Sequence, residues 1–83
     1  MKCFVAVTRF LKGKRQKDYF QYYFHFRGVY EGHVVQGIVV EGDSQDNLIK
    51  GEDYLLYLQF IKIEEGFIRA QFLKIKSLRN ITC

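Results

Sequence analysis

Residues 19–27, YFQYYFHFR, place Phe20, Tyr22, Phe24 and Phe26 at every second position, with Tyr19, Gln21, Tyr23, His25 and Arg27 between them. Side chains alternate between faces along an extended chain, so this spacing predicts a strand half buried against a core. The Phe-rich set should face inward, leaving Tyr, Gln, His and Arg on the opposite face. Upstream, residues 3–11, CFVAVTRFL, are rich in β-branched and aromatic types, which fit a pleated surface better than a helix. They run into the basic, Gly-containing stretch Lys12-Gly13-Lys14-Arg15-Gln16-Lys17-Asp18, read as a loop.

Downstream, Gly28 and Gly32 bracket a short connection into a third strand, residues 33–41, HVVQGIVVE. Gly37 lies inside it, where a glycine marks a bulge or tight bend. Residues 42–51, GDSQDNLIKG, read as a loop with room for at most one helical turn. Residues 53–63, DYLLYLQFIKI, and 67–76, FIRAQFLKIK, read as two strands joined by a tight Glu64-Glu65-Gly66 hairpin. In both, the alternation slips: Leu56, Leu58 and Phe60 give way to Ile61 and Ile63, and Ile68, Ala70 and Phe72 to Leu73 and Ile75. A phase slip turns the apolar set over, as a bulge in a long coiled strand does.

No segment holds a sustained helical period, and five long strands suit a small closed barrel better than a sandwich, which needs about seven. The expectation is an all-β chain, a five-stranded antiparallel barrel forming one domain over residues 1–83, with 77–83 as a polar tail. The eight Phe and six Tyr supply the area that a core of this size requires. Cys3 and Cys83, at the two ends and without metal-ligand spacing, fit a reducing compartment, with Cys3 as a small core residue. The run Cys3–Val7 is too short for a secretory leader, and no apolar run approaches the ~20 residues of a membrane span. A cytoplasmic protein without membrane contact is the expectation.

The order of elements over residues 2–76, three strands, a longer connection and a terminal hairpin, resembles OB-fold single-stranded nucleic-acid-binding proteins of the primosomal PriB-like kind. An SH3-like barrel is the alternative with the same strand number. The resemblance departs at Asp43–Lys50, too short for the helix that OB-folds often carry there. It implies ligand contact through the face of the second and third strands and through the first and last hairpin loops. Those places are Lys12–Lys17, the outward sets of 19–27 and 33–39, and Glu64–Gly66.

The residues themselves point the same way. The net charge of +4 is unevenly placed: residues 1–33 carry +5, residues 34–66 carry −5 and residues 67–83 carry +4. Lys12, Lys14, Arg15 and Lys17 lead directly into Tyr19, Tyr23, His25 and Arg27. Cations neutralise phosphates while flat rings stack on bases, so one hairpin holds both parts of a single-strand binding site. The plainer reading of the same residues is a solvated loop and a polar strand face. Lys74 and Lys76, with Arg79, extend the patch if the last strand closes beside the first; otherwise they guard a strand edge.

Glu41, Asp43, Asp46, Glu52 and Asp53 lack the spacing of a calcium loop, and His25 and His33 lack companion zinc ligands. No nucleophile–base pair or phosphate-binding glycine signature is present. The function read from the sequence is therefore a non-enzymatic module without cofactor that binds single-stranded DNA or RNA with little sequence preference. The alternative is a protein-interaction module, including a homodimer, using outward residues such as Tyr57 and Gln59.

Overall fold

The computed structural model describes residues 2–45 and 48–78. Asp46, Arg79, Cys83 and the tail beyond Leu78 lie outside the described residues. Five strands, β1 (Cys3–Arg15), β2 (Phe20–Tyr30), β3 (His33–Gly42), β4 (Asp53–Glu64) and β5 (Phe67–Ser77), close into one barrel in the order β1-β2-β3-β5-β4. The barrel is of the small OB-like or SH3-like kind. No helix among the described residues is long and apolar enough to cross a membrane.

The expectation of a wholly antiparallel barrel needs one correction. β3 and β5 run parallel, Gly37 opposite Phe67 through Glu41 opposite Gln71, while the other four pairings are antiparallel. The hairpins β2–β3 and β4–β5 are each local, and bringing the second beside the first sets their facing strands in the same direction. The fifth strand therefore closes against β3 and β4, and it is β4 that seals the barrel against β1.

The interior follows the period-two reading. Tyr22 and Phe24 are buried, with Phe20 and Phe26 packed against the same cluster, and Phe10, Val35, Ile38, Val40, Tyr54, Leu56, Leu58, Ile68 and Ala70 complete it. Tyr22 keeps its hydroxyl satisfied inside this cluster: it accepts the Gln45 N–H at 2.6 Å and donates to the Asp43 carbonyl at 3.3 Å. Both expected phase slips are bulges, with Ile61 as the extra residue of β4 and Leu73 as that of β5. After the slips Ile63 and Ile75 point back to the core and pack on it.

Three local expectations are corrected. Lys12–Arg15 continue β1, because Phe20–Tyr23 offer a partner edge to each of them and Gly13 lets the Tyr22 ring approach. β2 runs through Gly28 to Tyr30, so the connection to β3 shrinks to Glu31-Gly32. Both turn residues have positive φ (49° and 80°), as do Glu65 and Gly66 (53° and 82°) in the β4–β5 hairpin. This is the two-residue turn whose twist matches paired strands. Finally, Cys3 is exposed, because Phe4, Ala6, Thr8 and Phe10 take the inward positions of β1.

Candidate nucleic-acid interface

The outer surface of β2 and β3 is built by cross-strand rows, since residues opposite one another share a face. One row runs Lys12, Tyr23, Val39, Arg69, Lys62, and the next runs His25, Gly37, Phe67. Phe67, the first residue of β5, lays its ring over Gly37, and a Cβ on Gly37 would come within 2.7 Å of that ring. Tyr23 meets Phe67 edge-on, with centroids 6.4 Å apart and planes at 89°. Val39 is buried although it belongs to the outer face, lining a cavity with these two rings.

Two concavities lie on this surface. One is a cavity of about 170 Å³ lined by Tyr23, Val39 and Phe67 together with Gln21, Glu64, Glu65 and Arg69. The other is an open groove of about 520 Å³ lined by His25, Arg27, Val34, Val35, Gln36 and Gly66. The groove exists because β2 bulges at Phe26–Arg27 while β1 turns away toward β4. Where the two strands part, the Thr8 hydroxyl donates to the His25 carbonyl, supplying the partner that β1 backbone no longer provides.

The charges are ordered along this face. Lys12 lies over the Tyr23 ring at 5.0 Å, and Arg15 over Phe20 at 5.9 Å. Lys14 stands opposite Gln21, Lys17 and Tyr19 are exposed in the turn, and His25 and Arg27 are exposed on β2. Among the described residues none of Lys12, Lys14, Arg15, Lys17 and Arg27 is in an ion pair. By contrast Arg69 is held by Glu41 and by Glu64 (2.6 Å), and Glu64 also reaches Lys62 at 3.2 Å. The Arg69 hydrogen bond lowers the Glu64 carboxyl below its ordinary range, and the Glu64 bond in turn raises the Arg69 guanidinium. A polar ladder from Gln16 through Gln21 and Glu41 to Arg69 thus crosses the face.

The structure gathers Lys12, Lys14, Tyr23, His25 and Arg27 on one surface, with Lys17 and Tyr19 in the turn at its hairpin end. Arg15 is not part of it, because alternation along β1 puts it on the opposite face, over the ring of the core-packed Phe20. It does not bring Lys74 and Lys76 there through strand pairing. They stand opposite Tyr57 and Leu55 of β4, since β5 closes beside β3 and β4 and not beside β1. Phe67 and Arg69 are the members of the face that sequence reading does not reach, while Val39 belongs to the stretch 33–39 expected there. The available signals were the interior glycine at 37 and the position of Phe67 outside the inward Ile68, Ala70, Phe72 set. Comparison of the chain with protein-family models, curated proteins and solved structures finds no match in any of the three.

Proposed function

We propose that the chain is a non-enzymatic module that binds single-stranded nucleic acid through the outer face of β2 and β3. The observation that carries this reading is a set of cations outside any ion pair among the described residues, beside two partly exposed aromatic rings. Lys12, Lys14 and Arg27 lie on the outer face on which Tyr23 and Phe67 stand, with Lys17 in the turn at its end. Phosphates would follow the cationic border, and bases would stack on the rings at about 1–3 kcal/mol each. Neutralising about four phosphates gives a log–log salt slope near −3 for a single strand.

Fluorescence anisotropy of labelled DNA and RNA oligonucleotides, titrated across a salt series, tests this. Binding should weaken log-linearly with salt, and Lys14→Ala should make the slope shallower by roughly 0.7. Tyr23→Ala should weaken binding about tenfold at every salt concentration. Absence of binding at low salt refutes the proposal.

A second reading, assembly with another protein chain or a second copy, is favoured by a different observation. Val5, Val7, Val29 and Val34 are 56–79% exposed on the outside of β1 and the β2–β3 hairpin. Val5 and Val7 share one face of β1 and Val29 stands opposite Val34, and exposed apolar side chains grouped in this way serve protein contacts. Sedimentation showing a stable complex that Val5→Lys with Val7→Lys dissolves, together with no oligonucleotide binding, would favour it.

A further inference from the structure

The acidic margin of the smaller cavity stands out on a face otherwise bordered by cations. Glu64 and Glu65 line a compartment with the Tyr23 and Phe67 rings, the Val39 side chain, Gln21 and Arg69, whose charge is taken up by Glu41 and Glu64. Carboxylates repel phosphate, so in a bound strand this compartment suits a ring and the basic groove beside it suits the backbone. We propose that the cavity is a nucleobase pocket that selects guanine from a bound single strand, an inference that rests on the single-strand reading above.

The geometry of the walls fits one flat ligand. With the rings at 89°, a planar base stacked on one of them turns its own edge to the face of the other, so it gains one stacked and one edge-to-face contact. Selection comes from the acceptors at the margin. Glu64 is already engaged by Arg69 and Lys62. Glu65, at the tip of the β4–β5 turn, has no hydrogen bond or ion pair with another described residue, so both of its oxygens are open to a ligand. A carboxylate is acceptor-only, and it pairs best with two adjacent donors.

Guanine alone presents that arrangement on its Watson–Crick edge, with the ring N1–H beside the N2 amino group. Cytosine and adenine each set one amino group beside a ring-nitrogen acceptor, which would face a carboxylate oxygen. Thymine and uracil set a single N–H between two carbonyls. One bidentate contact discriminates by about tenfold.

The test uses the full chain and a labelled all-dT tract carrying a single central dG, dA or dC. The dG tract should bind about tenfold tighter than the dA and dC tracts. Glu65→Gln turns one acceptor into a donor, so it should abolish that preference while leaving all-dT affinity equal or higher. Glu64→Gln should keep the preference, because that carboxylate is occupied by Arg69 and Lys62. Thermal melting confirms that both variants fold. Tract binding without a guanine preference, or a preference that survives Glu65→Gln or is lost in Glu64→Gln, overturns the pocket and leaves the single-strand reading standing. No binding of any tract overturns both.

Discussion

Gly37→Ala isolates the contact that organises the outer face. An added Cβ would stand 2.7 Å from Phe67 Cε2, 3.0 Å from Phe67 Cδ2 and 3.3 Å from the Phe24 carbonyl oxygen. The carbonyl belongs to the β2 ladder and cannot retreat, so the Phe67 ring must. In leaving Gly37 it also abandons its edge contact with Tyr23. Overpacking of this kind costs about 1–3 kcal/mol. Replacing glycine restricts the unfolded chain and returns about 0.4–1 kcal/mol. The net loss is then about 1–2 kcal/mol, a drop in Tm of roughly 5–15 °C for a domain of this size.

The same substitution in a Phe67→Ala background meets no ring. There it should be neutral or stabilising by up to about 1 kcal/mol. Urea and thermal denaturation of the four chains, followed by circular dichroism, give the coupling directly. Equal effects of Gly37→Ala in the two backgrounds would refute the argument that Phe67 fixes glycine at this position.

Glu65 has φ of 53°, a conformation that Asn adopts more readily. Glu65→Asn should raise stability by about 0.5 kcal/mol, read as a Tm increase of a few degrees; a fall would show that the turn draws on the longer side chain. The Glu64 carboxyl is lowered in the folded state chiefly by its Arg69 hydrogen bond. Its contribution is therefore present above the ordinary value of 4.5 and is lost as pH falls through the lower folded value. Glu64→Gln should flatten the decline in stability on acidification below about pH 4.5, and superimposable pH profiles for the two chains would contradict this.

The strands were legible because their apolar residues repeat at period two, and the barrel because two strands slip phase at Ile61 and Leu73. The limit of β1 was not. Lys12-Gly13-Lys14-Arg15 has the composition of a loop, and only the edge supplied by Phe20–Tyr23 makes it strand. The half of the candidate site on β2 could be read from alternation alone. The half made by Phe67 and Arg69 could not, since it depends on a parallel pairing between strands with no local relation. Likewise the Arg69 ion pairs join Glu41 of β3 to Glu64 of β4 across β5, a juxtaposition that spacing along the chain does not encode.

β1 serves two partners in succession, Asp53–Gln59 of β4 with its first half and Phe20–Phe24 of β2 with its second. During synthesis, then, the first half of β1 emerges with Val5 and Val7 beside an unpaired backbone edge. That edge stays open until residues near 59 have been made. Until then the nascent chain exposes what strand-pairing aggregates recruit. The β2–β3 hairpin can close on its own tight turn in the meantime, so the interval of exposure belongs to β1.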